Sequence, residues 1–157
     1  MTRVGTCLWY KSEGLEAATF YTSLLPNSEI TRIDRADPDK PPILVQFTLM
    51  GTPYAALSPG EAATHSHAAS ITVEVDTQEE IDRLWQAILD NGGEEVECGW
   101  IKDRWGISWQ IFPARLPEMM FHGDRDGGQR AYQAMRGMKK LDLAALQAAY
   151  DGKESAQ

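Results

Sequence analysis

The sequence predicts an α+β fold built from two successive βαβββ modules with helices after them, and three observations carry that prediction. The first is an internal repeat of helical periodicity. Ala17, Phe20, Tyr21, Leu24 and Leu25 are spaced i, i+3, i+4, i+7 and i+8, and 64 residues later Ile81, Leu84, Trp85, Ile88 and Leu89 have the same spacing. The second is punctuation: Pro26-Asn27-Ser28 ends one helical pattern and Asn91-Gly92-Gly93 ends the other. The third is that one strand-like run precedes each helix and three follow it.

Module 1 is placed at residues 5–58, with strands at Thr6–Tyr10, Glu29–Arg35, Ile43–Met50 and Thr52–Leu57. The connection from Asp34 to Pro42 is rich in Asp and Pro and lengthens this half, so the repeat offset falls to about 55 at the end of the second module. A linker occupies 59–68. Module 2 is placed at 69–113, with strands at Ser70–Val75, Glu94–Cys98, Gly99–Lys102 and Ser108–Pro113. Beyond Pro113, a loop holding Pro117, Gly123 and Gly127-Gly128 leads into a helical tail within 124–150. One apolar stripe there is Ala131, Ala134, Met135 and Met138, and a second is Leu143, Leu146 and Tyr150 after Asp142, an N-cap residue type. Stripes this narrow do not fold alone, so they are expected to pack on the repeat or across a subunit interface. Gly152–Gln157 is expected to fray. Residues 1–157 therefore read as a single domain made of two modules, a linker and a tail.

The composition bounds the function. The chain has 157 residues, 43% hydrophobic and 24% charged, as in ordinary globular proteins. Its net charge of −8 opposes binding to a phosphate backbone, and the one basic cluster (Arg130, Arg136, Lys139, Lys140) is short. No apolar run reaches the roughly 20 residues of a bilayer span. The N-terminal residues carry no secretory signature, and Cys7 and Cys98 form neither a disulfide framework nor a zinc set. The expectation is a cytoplasmic protein without nucleic-acid or membrane partners.

Alternation within the strands assigns their faces. Ile71, Val73 and Val75 alternate with Ser70, Thr72 and Glu74; Trp109 and Ile111 alternate with Ser108, Gln110 and Phe112; Val45, Phe47 and Leu49 alternate with Gln46, Thr48 and Met50. One face suits a helix. The other, with Leu8 and Tyr10 assigned to it, mixes small neutral polar groups with apolar ones, as in a ligand-binding cleft. Thr6 is placed on the cleft face too, with Trp9 and Cys7 turned toward the helix.

Three stretches resemble a known family: TCLWYKSEGLEAATFYTSLL at Thr6–Leu25, DTQEEIDRLW at Asp76–Trp85 with Cys98-Gly99-Trp100-Ile101-Lys102-Asp103, and Trp105-Gly106-Ile107-Ser108-Trp109-Gln110 with Met135–Asp142. They are similar to the PhnB-like branch of the vicinal-oxygen-chelate superfamily, which includes glyoxalases, extradiol dioxygenases and bleomycin-resistance proteins. The resemblance implies paired βαβββ modules forming a cleft, and modules often paired across a homodimer. Some members carry a 3-demethylubiquinone methyltransferase label. The first strand-to-helix turn here, Lys11-Ser12-Glu13-Gly14, has a single glycine, unlike the Gly-rich cofactor loop of a parallel-sheet methyltransferase. Metal-dependent members hold an ion with His and Glu at four strand positions, and the repeat maps these onto Thr6, Ala55, Ser70 and Gln110. Those residues are poor ligands for a divalent transition metal. His65-x-His67, in the linker, is a weak metal signal.

The expected function is metal-independent binding of a small molecule, without a cofactor. The alternative is an orphan enzyme, of lyase, isomerase or dioxygenase type, acting on a small polar or aromatic metabolite in the same cleft. A third class is an interaction role for the dimer. The candidate catalytic residues are Glu74 and Gln110. Glu74 is either a general base raised in pKa by apolar walls or a solvated strand residue. The candidate ligand-binding residues are Thr6, Tyr10, Gln46, Thr48, Ser70, Thr72, Ser108, Trp100 and Trp105. Trp100 and Trp105 flank the Lys102-Asp103-Arg104 turn and are placed at the cleft rim; Cys98 is assigned to structure.

Overall fold

A computed structural model describes residues 1–153, which divide into two compact units, Met1–Thr64 and His65 onward. The expected fraying of the last residues lies, from 154 on, outside the described residues. Among the described residues no helix is long and apolar enough to cross a membrane.

In the first unit β1 (Thr6–Trp9), α1 (Gly14–Leu24), β2 (Glu29–Asp34), β3 (Leu44–Leu49) and β4 (Thr52–Leu57) form the predicted βαβββ order. The sheet runs β1-β4-β3-β2, with β1 parallel to β4 and the other pairs antiparallel. Helix α1 covers one face with Ala17, Ala18, Tyr21 and Leu24, meeting Val45, Phe47, Leu49 and Ala56 in the core. Its N-terminus is tied down by Ser58, whose hydroxyl accepts from Gly14 N at 3.0 Å.

The register of β1 reverses its expected parity. Thr6 is paired with Tyr54, and Tyr54 with the buried Phe47, so even-numbered residues of β1 point toward the helix. Tyr10 is accordingly core: it is buried, and its hydroxyl meets that of Tyr21 at 2.9 Å. Cys7 and Trp9 take the open face instead, where both are exposed, and the Trp9 indole donates to Glu61 O at 2.8 Å. A strand repeats every two residues, so a register offset of one exchanges its faces.

The second unit repeats the plan with β5 (Ser70–Val75), α2 (Gln78–Asp90), β6 (Glu94–Glu95), β7 (Trp100–Lys102) and β8 (Ser108–Pro113), in the sheet order β5-β8-β7-β6. Thr77 caps α2 by accepting from Glu80 N, and Ile81, Leu84, Trp85 and Ile88 are buried. Facing them are Ile71, Val73, Ile101, Trp109 and Ile111. The β7–β8 hairpin is built on Asp103, which is only 4% exposed. Its Oδ1 accepts from Trp105 N and Ile107 N and its Oδ2 from the Trp109 indole, each at 3.0 Å.

The strand expected at Glu94–Cys98 stops at Glu95. Cys98 and Gly99 have φ of +57° and +83°, a turn that no strand can include. Their amide groups leave the sheet and donate to Met138 O and Lys139 O, each at 2.8 Å. A Cβ at Gly99 would lie 3.0 Å from Ile111 O and from Leu141, so close packing and positive φ both require glycine. The tail is thus part of the second unit. After a π-helical turn at Glu118–His122 come α3 (Arg125–Arg136) and α4 (Leu143–Tyr150). Gly127 and Gly128, expected in a loop, lie in the first turn of α3, where a Cβ would meet Tyr150 O and Met119 O at about 3 Å. Met135, Met138 and Tyr150, partly buried, pack around buried Met119, Ala131, Leu141 and Leu146, so the two tail stripes meet in a small core of their own. Three residues of the basic cluster are also engaged. Arg130 donates to Ala149 O and Tyr150 O, Lys139 pairs with Glu95, and Lys140 pairs with Asp82.

Two outcomes follow for stability. Asp103→Ala leaves two amides and an indole N–H without their acceptor inside the protein, and is expected to cost about 3–5 kcal/mol in chemical denaturation, with Asp103→Asn milder because one oxygen remains. Val73→Ala removes packed methyl groups beneath α2 and is expected to cost about 1–3 kcal/mol.

Candidate functional site

The open face of the second sheet collects most of the predicted site residues. Register partners in a sheet share a face, so Ser70, Ser108 and Lys102 form one row across β5, β8 and β7. Thr72, Gln110 and Trp100 form the next row, and Glu74 and Phe112 the third. Gln110 is anchored diagonally: its Nε2 donates to Ser70 Oγ at 2.9 Å, leaving the amide oxygen to accept from another group. Thr72 and Glu74 are exposed, so this module does not enclose Glu74 in apolar walls of its own. Phe112 is drawn toward the tail and packs against its core.

Next to these rows the 96–99 turn walls off a hollow of about 390 Å³, lined by His67, Val96, Glu97, Cys98, Trp100, Ile101, Lys102 and Ser108. Ser108 is only 3% exposed. Trp100 borders this hollow. Trp105 does not line it; the Arg104 guanidinium stacks over the Trp105 ring at 4.6 Å and its amide is held by Asp103. Sequence reasoning missed Lys102, Glu97, Cys98 and His67 as lining groups. Lys102 was legible in principle, because it shares strand parity with Trp100. The others depend on the turn and on the path of the linker.

On the first sheet, Gln46 and Thr48 lie on the open face as expected, with Cys7 and Ala55 beside them. A second hollow of about 630 Å³ includes these four residues, Arg3 and Arg32. Thr6 borders it from the exposed start of β1, although its strand position belongs to the helix side. Arg32 is committed to Asp34 at 2.8 Å.

The four positions mapped onto a superfamily metal site do not fit a transition metal. Ser70 and Gln110 hydrogen-bond to each other, Ala55 offers no donor atom, and Thr6 falls on the other side of its sheet. None is an imidazole or carboxylate, the donors such an ion needs. Among the described residues no group of three His, Cys, Asp or Glu side chains is placed to hold a metal.

The family model described as 3-demethylubiquinone-9 3-methyltransferase matches residues 2–112. No curated protein matches the chain. Among solved structures, the chain is similar to a PhnB protein from Bacillus cereus bearing the same methyltransferase label, at 29% identity and a TM-score of 0.66, covering 72% of this chain and 100% of that one. The protein PA1353 from Pseudomonas aeruginosa is 19% identical with a TM-score of 0.57, over 72% of this chain and 98% of that one. The fosfomycin resistance protein FosX from Listeria monocytogenes, solved with Mn(II) and sulfate, is 16% identical with a TM-score of 0.53, over 74% of this chain and 93% of that one. The last two show the shared fold. With two βαβββ modules in succession and a family match over most of its length, the chain belongs to the 3-demethylubiquinone-9 3-methyltransferase family.

Proposed function

We propose that this chain binds a small molecule on the open face of its second sheet, without a transition metal at the repeat positions, and that it acts as a homodimer in the cytoplasm. The observation that carries the proposal is the Gln110–Ser70 hydrogen bond. It turns two positions where a metal-dependent relative would need ligands into a fixed neutral donor–acceptor pair, beside a cavity walled by Trp100 and Ser108. A few placed polar groups next to an aromatic wall suit recognition of a small organic ligand. The strand edges and exposed sheet faces call for cover, which supports a dimer. Neither sheet has the doubly wound parallel order around a Gly-rich loop that usually holds a methyl-donor cofactor, so the family's label gives this site no methyl transfer. Glu74, beside Phe112 on the same face, is the group that would supply acid–base chemistry in the enzymatic alternative.

Native mass spectrometry after chelator-free purification is expected to give a dimer mass without stoichiometric iron, zinc, nickel or manganese. A metal retained when His65 and His67 are both changed to Ala, or a monomer at micromolar concentration, would contradict the corresponding part of the proposal. A thermal-shift screen of metabolites is expected to yield at least one ligand. For that ligand Gln110→Ala is expected to weaken binding, while Glu74→Gln, at an exposed position, should leave stability nearly unchanged. If Glu74→Gln also abolishes turnover of the ligand, the enzymatic alternative is correct; if binding persists with no turnover in either protein, the binding role is.

A further inference from the structure

The hollow at the 96–102 turn carries a more specific assignment, which rests on the binding role proposed above. Four of its lining groups have definite chemistry. Ser108, only 3% exposed, borders the cavity with its neutral hydroxyl. Lys102 is the register partner of Ser108, so its ammonium and that hydroxyl rise from neighbouring strands on one face. Among the described residues Lys102 pairs with Glu94 alone, at 3.3 Å between side chains 43% and 75% exposed. Such a solvated pair is worth little and is readily exchanged for another carboxylate. On the turn, Glu97 is exposed and no cation among the described residues pairs with it. Trp100, two residues before Lys102 on the same strand face, supplies an aromatic wall on which a cation or an apolar body can rest.

We propose that this hollow binds a small zwitterionic amino carboxylate with an apolar or aromatic body. Its carboxylate lies between the Lys102 ammonium and the Ser108 hydroxyl. Its ammonium faces the Glu97 carboxylate, and its body packs on Trp100. A purely anionic ligand would gain Lys102 but meet Glu97; a purely cationic ligand would gain Glu97 but meet Lys102. Only a ligand with both charges matches both groups.

Cys98 borders the same hollow and provides the readout. In a Cys7→Ser background, alkylation of Cys98 by iodoacetamide is followed by mass spectrometry with phenylalanine, 3-phenylpropionate or phenethylamine present. Phenylalanine is expected to slow the reaction saturably, at concentrations about tenfold below those needed for either singly charged analogue. Glu97→Gln, an exposed change that leaves the fold intact, is expected to remove the advantage of phenylalanine over 3-phenylpropionate. Lys102→Met is expected to remove its advantage over phenethylamine, and Ser108→Ala to weaken both carboxylates. Equal protection by all three probes, or unchanged selectivity in Glu97→Gln, would overturn the assignment. If the metabolite screen finds a ligand that is not an amino carboxylate, or one that leaves Cys98 reactivity unaltered, the assignment fails and the binding role stands. If that screen finds nothing and phenylalanine gives no protection, both fail.

Discussion

The carboxylate of Asp103 is the constraint on which the second unit depends. A buried acid is tolerated only when its oxygens are well supplied with donors, and here two backbone amides and the Trp109 indole supply them. Those three bonds close the β7–β8 hairpin and fix Ile101 opposite Trp109 and Lys102 opposite Ser108. The first pair then faces α2 and the second faces away from it. A slip of β7 by one residue would turn Lys102 under the helix and Ile101 to the open face, so one hydrogen-bonded acid sets both the core and the chemistry of the open face.

The tail makes the second unit different from the first. Cys98 and Gly99 turn their amides out of the sheet toward Met138 and Lys139, and Leu141 fills the space that the missing Gly99 side chain leaves. Gln78 fastens the same segment from the helix, donating to Leu141 O at 3.0 Å and accepting from Leu143 N at 2.8 Å. The consequence reaches the site. Because the turn at 96–99, which stands where the first module has its 35–43 connection, is pinned from behind by the tail, Glu97 and Cys98 are held beside Trp100 as walls of a cavity.

Within one superfamily fold, chemistry is decided by a handful of side chains on the sheet face. The Listeria FosX structure contains Mn(II); in this chain Ser70 and Gln110, two positions that the sequence resemblance maps onto metal ligands, are bonded to each other. An amide–hydroxyl pair has neither the charge nor the donor strength to stand in for imidazole and carboxylate. It can orient a ligand through directional hydrogen bonds, which is a different use of the same surface.

The sequence by itself determined the elements that bury one face against a helix. The positions of α2 are periodic at 3.6 residues, and β5 and β8 alternate strictly, so their faces were readable residue by residue, including Ser70, Thr72, Ser108 and Gln110. Strand β1 was not readable in that way. In Cys7-Leu8-Trp9-Tyr10 every residue is apolar or aromatic, and no alternation says which side is inward. Only pairing with β4 sent Tyr10 to Tyr21 and left Cys7 and Trp9 outside. The hollow was equally a tertiary outcome: Glu97, Cys98 and His67 are brought to Lys102 and Ser108 by a left-handed turn and by the path of the linker. Periodicity records which side of an element is apolar. It does not record which loop backbone the rest of the chain will hold in place, because that is settled by hydrogen bonds to residues some forty positions away.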